Sequence, residues 1–111
     1  MPDVVCLGIL VADVVARPVG ELPRGAVALM EEVSLHGGGC ALNTATGLAR
    51  LGLEAAVAGK VGVDPLGDFL LGLLDERGID RRGVLRDPAV PTSATVALVD
   101  SAGERTFLHL P

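Results

Sequence analysis

Aromatic residues are nearly missing from this sequence, which has no Trp, no Tyr and two Phe among 111 residues. Proteins that bind single-stranded nucleic acid stack bases on aromatic side chains, so this composition argues against that function. Half of the residues are nevertheless hydrophobic. The core of the one small domain that this length predicts is therefore expected to consist of Leu, Val and Ala.

Positive charge and cysteine are also scarce. Nine Lys and Arg residues against fourteen Asp and Glu residues give a net charge of −5. Nucleic-acid phosphates and anionic membranes repel such a protein, so we expect neither as its main partner. Cys6 and Cys40 are too few for a disulfide framework, and we interpret both as small buried thiols.

Long hydrophobic runs are absent as well. The run over residues 4–12 is too short to cross a bilayer, no positive residue precedes it, and Asp13 closes it. These features do not fit a signal peptide either. The expected location is the cytoplasm.

What the sequence does contain is an alternation of apolar runs and helical patterns. The run at 4–11 is typical of a strand buried on both faces, as in parallel sheets. A helix over 65–77 is predicted, with Asp64 as its N-cap and Pro65 at its first position. The other predicted elements are one or two short strands within 26–35, a helix over 41–51, strands over 55–61 and 79–85, and a hairpin within 92–110. This order predicts an α/β layered fold with strands 4–11 and 55–61 parallel in one sheet, plus an extra antiparallel sheet.

The stretch from His36 to Ala45, HGGGCALNTA, is the principal candidate site. Its glycines let a ligand approach the backbone and meet the free N–H groups of the following helix. Asn43 can donate and accept hydrogen bonds, which suits a neutral polyol as well as an anion. Asp13, placed after the first strand, can accept hydrogen bonds from hydroxyls at the carboxyl end of the sheet. Local chemistry leaves two plainer interpretations open: a flexible turn capped by Asn43, and a solvated turn residue at Asp13.

This stretch resembles the N-terminal signature of the PfkB, or ribokinase-like, carbohydrate kinases. The resemblance covers nearly the whole chain and implies the N-terminal part of a ribokinase-like doubly wound sheet with a small β-sheet lid. The matching residues are Gly38-Gly39-Cys40-Ala41-Leu42-Asn43-Thr44-Ala45, Gly52 and Gly62 at the family's spacing, Gly59 to Asp64, Leu66-Gly67, Pro91-Thr92-Ser93-Ala94 and Gly103-Glu104-Arg105-Thr106.

The resemblance implies a kinase that transfers the γ-phosphoryl group of ATP, with Mg²⁺, to a sugar or sugar-like alcohol. The sugar-binding residues that it implies are Asp13, Gly38, Gly39 and Asn43. Segments of about 14–36 and 92–110 are implied to form the lid, which covers the sugar and mediates a homodimer. We expect the lid to present an apolar face containing Leu35, Leu98 and Phe107. Ribose itself is not specified, because Val11 and Cys40 replace the Asn and Lys of ribokinases proper.

The family's catalytic base lies in a Gly-Ala-Gly-Asp-like stretch that also supplies the anion hole, and these 111 residues contain no such stretch. The family's motifs for nucleotide and metal are not matched either. We therefore interpret residues 1–111 as the N-terminal, sugar-side portion of a kinase, with no catalytic residue and no metal ligand. The chain alone is predicted to be inactive as a kinase.

The sequence leaves two alternative functions open. The main alternative is a non-catalytic dimerisation or regulatory remnant of a shortened kinase. A dinucleotide-binding oxidoreductase fragment fits less well, because Leu42 stands where the third small residue of the glycine motif belongs. A P-loop is excluded, since Gly59-Lys60-Val61 lacks the Ser or Thr. His36 and His109 are isolated in the sequence, which argues against metal-dependent hydrolysis.

Overall fold

The structure is a computed structural model that describes residues 2–111. Within these residues the chain forms seven strands, two helices and two sheets. The elements are β1 (Val4–Leu7), β2 (Val11–Arg17), β3 (Glu32–Gly38), α1 (Cys40–Arg50), β4 (Ala55–Gly62), α2 (Pro65–Glu76), β5 (Asp80–Asp87), β6 (Ala94–Val99) and β7 (Arg105–Leu110).

The first sheet has three parallel strands in the order β1-β4-β5. Both helices contribute apolar side chains to one continuous core against this sheet. Burial of these side chains is the main stabilising term of the fold. The buried members of this core are Leu10, Ala12, Ala41, Leu42, Ala45, Ala55, Val57, Val61, Leu70, Leu71, Leu74 and Ile79.

The apolar run at 4–11 is shorter as a strand than we predicted. β1 pairs in parallel with β4, as expected, but it ends at Leu7. Residues 8–10 cross between the sheets, and Val11 begins β2 in the second sheet. Because Leu10 turns into the core and is 1% exposed, the run stays apolar where the strand has already ended. An unbroken apolar pattern cannot mark such a crossing.

The two helices begin and end close to their predicted bounds. The Asp64 carboxylate accepts a hydrogen bond from the backbone N–H of Gly67 (2.8 Å), which confirms Asp64 as the N-cap of α2. α1 instead begins after Gly39, whose φ is +92°, and no side chain caps it. The prediction for Cys40 was wrong, because the first helical position leaves this thiol exposed.

The second sheet has four strands in the order β3-β2-β6-β7. β6 and β7 form the predicted antiparallel hairpin, while β2 joins the parallel strand β6 to the antiparallel strand β3. Residues 26–31 lie outside the strands, and β3 continues through Gly37 and Gly38 to pair with Val11. Gly37 and Gly38 are therefore strand residues rather than part of a turn, because the ladder to β2 holds them extended.

Alternation along the strands gives this four-stranded sheet two unlike faces. The apolar face carries Val14, Leu35, Val96 and Leu108 in one row across all four strands. The polar face carries Asp13, and Phe107 lies on this side too, one row away. The expected grouping of Leu35, Leu98 and Phe107 was thus wrong for Phe107. A hairpin residue changes face with every step, and the register was not visible in the sequence.

Candidate functional site

The sequence predicted Asp13 just after a strand, but this residue lies within β2. Its side chain is half-buried. Its carboxylate rests against the backbone of Gly38 so closely that a Cβ on Gly38 would overlap Oδ2. Within residues 2–111, the Asp13 carboxylate accepts no hydrogen bond from another side chain or from the backbone. A half-buried carboxylate without a partner has acceptor capacity left for a ligand.

Gly39 forms the next part of this corner. A Cβ here would overlap the carbonyl oxygen of Ile9, and the positive φ disfavours any side chain. The structure thereby brings Gly38 and Gly39 against β2 and against the crossing that precedes it. Because no side chain caps α1, the N–H groups of its first turn remain free at this point.

Asn43 lies one turn into α1, and its side chain is exposed. Its backbone N–H donates to the Gly39 carbonyl (3.0 Å), which is the first hydrogen bond of the helix. The interpretation of Asn43 as the helix cap is therefore wrong, since Gly39 holds that position. Within residues 2–111, no hydrogen bond joins the side chains of Asn43 and Asp13. Gly38, against which the Asp13 carboxylate lies, precedes Asn43 by five residues in the chain.

A concave pocket of about 340 Å³ opens where β1 and β4 end. Gly8, Ile9 and Leu10 form one wall, and Lys60 contributes a positive charge that is paired with Asp87 at 3.4 Å. The remaining lining residues are Val61, Val90, Pro91, Ser93 and Pro111. This position, beyond the carboxyl ends of parallel strands, is where open α/β sheets bind ligands.

The sequence did not reveal a row of polar side chains across the second sheet. The strand register places His36, Asp13, Thr95 and His109 side by side on β3, β2, β6 and β7. His36 Nε2 lies 2.8 Å from Ser34 Oγ, and His109 Nδ1 lies 2.9 Å from Thr95 Oγ1. The two histidines, isolated in the sequence, therefore flank Asp13 in the fold.

The sequence pattern also did not predict a hydrogen-bonded junction between the two sheets. Buried Thr92 donates from its hydroxyl to Asp64 Oδ1 (2.6 Å) and from its N–H to Oδ2 (2.9 Å). The same hydroxyl accepts from the N–H of Gly62 (2.9 Å). Hydrogen bonds from Thr92, first from its hydroxyl, lower the pKa of Asp64 below its ordinary value of 3.8. No local pattern predicts a contact between residues 28 positions apart.

Two kinds of site are absent from the described residues. Residues 2–111 contain no group of three or more His, Cys, Asp or Glu side chains arranged to hold a metal ion. Over the same range, neither helix has the length and hydropathy required to cross a membrane.

The sequence matches the model of the family described as pfkB family carbohydrate kinase over residues 1–111. It is 40% identical over 73 residues to a fructokinase of Vibrio alginolyticus, which is 66% of this chain and 24% of that protein. The chain thus spans about a quarter of this relative.

Solved structures of sugar kinases share the fold of this chain. The crystal structure of an uncharacterized sugar kinase from Pyrococcus horikoshii in complex with ATP superposes with a TM-score of 0.78 at 31% identity. The match covers 96% of this chain and 33% of that one. A ribokinase from Arabidopsis thaliana, complexed with ribose and ATP, has the same fold, with a TM-score of 0.87 at 22% identity and coverage of 98% and 36%.

Proposed function

This chain belongs to the pfkB family of carbohydrate kinases, and we propose that it supplies the sugar-binding side of an ATP-dependent kinase for a sugar or sugar-like alcohol. ATP and Mg²⁺ are the cofactors that we propose for the whole enzyme, and no residue of this chain is assigned to either. The acceptor sugar is its proposed small-molecule partner, and the cytoplasm stays the predicted location.

The observation that carries the proposal is the Asp13 carboxylate, half-buried against Gly38 without a hydrogen-bond donor from residues 2–111. Removing a carboxylate from water is unfavourable unless hydrogen bonds replace the lost hydration. Sugar hydroxyls are suitable donors, and Gly38 and Gly39 leave the space in which they can reach this carboxylate. Asn43 can donate and accept on the same sugar, so the two side chains suit neighbouring hydroxyls.

The first experiment measures sugar binding by the 111-residue chain. Titration of ¹⁵N-labelled protein with a panel of monosaccharides reports on folding and on binding in one spectrum. We expect shifts at Asp13, Gly38 and Gly39, and we expect Asp13→Ala to abolish them while the other resonances stay in place. Val15→Ala on the same strand and face is the control. Sugar shifts that persist unchanged in Asp13→Ala contradict this site.

The second experiment tests catalysis. We expect no ATP-dependent sugar phosphorylation by the 111-residue chain, since phosphoryl transfer needs positioned phosphates and a base near the acceptor hydroxyl. In the longest translated product that contains this sequence, Asp13→Ala should cost about 1.5–3 kcal/mol in kcat/KM for the sugar, the usual value of a hydrogen bond to a charged group. The KM for ATP should hardly change. A loss confined to ATP refutes the assignment.

A second function, dimerisation through the four-stranded sheet, is favoured by its apolar face. Leu35 is 40% exposed and Leu108 is 62% exposed, although both lie in a row of apolar side chains. A second copy that packs on this face would remove these side chains from water. We therefore propose that the sheet acts as a lid over the sugar with its polar face and forms a homodimer with the other. Light scattering should show a dimer for the natural chain and a monomer for Leu108→Asp, with Arg105→Asp, on the other face of β7, as the control.

A further inference from the structure

We propose that α1 and α2 together form a binding site for a phosphate group, free or in a small ester, between Arg50 and Arg77. The site lies at the opposite end of the parallel sheet from the sugar-binding corner. It does not depend on the proposed sugar-binding function, so either proposal can fail without the other.

The pocket that forms this site lies where the two helices end. α1 leads into β4 and α2 leads into β5, so the C-terminal ends of both helices adjoin the amino ends of these parallel strands. A pocket of about 190 Å³ opens here, and its lining residues are Thr46, Ala49, Arg50 and Arg77. The pocket therefore shares no residue with the proposed sugar site.

The two arginines of this pocket differ from most basic residues of the chain in having no carboxylate partner. Within residues 2–111, the side chain of Arg50 forms neither an ion pair nor a hydrogen bond, and half-buried Arg77 bonds only to the neutral hydroxyl of Thr46. Two positive charges that line one pocket repel each other, and an anion between them offsets this repulsion. By contrast, five of the nine basic residues form ion pairs at 2.6–3.4 Å, namely Arg17, Lys60, Arg81, Arg82 and Arg86.

Thr46 fixes the position of one of the two guanidinium groups. Its hydroxyl donates to the carbonyl of Leu42 (2.8 Å) and accepts from Arg77 Nη1 (2.9 Å). The other N–H groups of Arg77 stay available as donors. A guanidinium presents paired donors that match two oxygens of a phosphate, and one that is already held in place loses less freedom on binding.

The helix ends offer a simpler reason for the two arginines, because the C-terminal end of a helix favours positive charge. This reason explains one arginine at each helix, but it does not explain why both line the same pocket. The dipole of α1 would also disfavour an anion if its last carbonyls were unpaired. The carbonyls of Gly47, Leu48 and Ala49 accept N–H groups from the residues that follow α1, which reduces that repulsion.

The size and the charge of the pocket limit the class of ligand. Pockets for drug-sized molecules measure roughly 300–1,000 Å³, so this smaller pocket fits one phosphate group rather than a whole nucleotide. Two positive charges match the dianionic form of phosphate better than a monovalent carboxylate. Among the described residues, Thr46 is the one other polar side chain that lines the pocket, so the organic part of an ester would stay in solvent.

The test titrates the ¹⁵N-labelled 111-residue chain with sodium phosphate and, separately, with glycerol 3-phosphate, at an ionic strength held constant with NaCl. We expect saturable shifts at Thr46, Arg50 and Arg77, and affinities for the two ligands within about threefold of each other. Arg50→Gln and Arg77→Gln should each lower the phosphate affinity roughly tenfold, the usual effect of a lost hydrogen bond to a charged group. Arg105→Gln removes the same charge from an exposed arginine on β7, and this control should change the affinity by less than about twofold.

A second measurement does not depend on the spectra. A ligand that binds the folded chain stabilises it, so low millimolar phosphate should raise the urea midpoint of the natural chain more than that of the double variant Arg50→Gln, Arg77→Gln. Shifts that do not saturate, or equal losses of affinity in Arg105→Gln and Arg50→Gln, indicate a general attraction to positive charge and overturn the inference. Binding of the ester without binding of inorganic phosphate overturns it as well. None of these results affects the proposed sugar site, which is tested through Asp13→Ala.

Discussion

The two sheets of this molecule bury their side chains to very different extents. The three-stranded sheet carries α1 and α2, and Leu70 and Leu74 of α2 are fully buried against it. The four-stranded sheet has helix contacts at one end, through β2 and β3, and every residue of β7 is exposed. The first sheet therefore supplies stability, while the second leaves its side chains available to ligands and partners.

This division predicts that the same substitution, Leu to Ala, lowers the free energy of unfolding by unequal amounts in the two sheets. Leu70→Ala should lower the free energy of unfolding by about 2–5 kcal/mol, because it leaves a cavity in the core. Leu108→Ala, at a side chain that is 62% exposed, should change it by less than about 0.5 kcal/mol. Urea unfolding at a protein concentration where the chain is monomeric measures both values. Similar losses of unfolding free energy at Leu70 and Leu108 contradict this division between the two sheets.

The junction between the sheets is the next target. Thr92→Val keeps the shape of the side chain but leaves the N–H of buried Gly62 without its acceptor, and it removes one hydrogen bond from Asp64. The expected loss of stability is about 1–3 kcal/mol. Thr106→Val, at an exposed position on β7, is the matched control and should be nearly neutral. A neutral Thr92→Val shows that the junction does not couple the sheets.

The same junction predicts a dependence of stability on pH. The pKa of Asp64 is lowered in the folded state, so its stabilising effect is complete above the ordinary value of 3.8 and is lost as the pH falls through the folded value. The difference in unfolding free energy between the natural chain and Asp64→Asn should therefore stay constant above about pH 5 and shrink as the pH falls through 3.8 and below. Arg82 lowers the pKa of Asp80 to about 2, but this effect is common to both proteins and cancels. A constant difference contradicts the prediction.

The smallest expected effects come from substitutions at two glycines, one beside Asp13 and one within α1. Gly38→Ala should lower sugar affinity roughly tenfold, because its Cβ displaces the Asp13 carboxylate. Gly47→Ala lies within α1 with no atom within 4 Å of the new Cβ. It should raise stability by about 0.5–1 kcal/mol and leave sugar binding unchanged. Equal effects of both changes on sugar affinity rule out a specific role for Gly38.

Elements whose evidence lies within a few residues were predictable from the sequence. The N-cap Asp64 with Pro65, the leucine repeat of α2 and the β6–β7 hairpin each depend on local spacing, and each is confirmed. The glycine signature likewise identified the family without any coordinates. Local chemistry determines these features, because caps, turns and helix faces are decided by neighbours along the chain.

Tertiary structure decided how the sheets divide the chain. The apolar run at 4–11 serves two sheets, and the pattern is the same on both sides of the crossing at 8–10. Asp13 could be proposed from the sequence, but its contact with Gly38 and its row with Thr95 and His109 depend on strand register. Register is a property of paired strands that lie far apart in sequence, and a shift of one residue would move each of these side chains to the other face. For the same reason, the buried hydrogen bond between Thr92 and Asp64 depends on the tertiary fold, and no sequence motif predicts it.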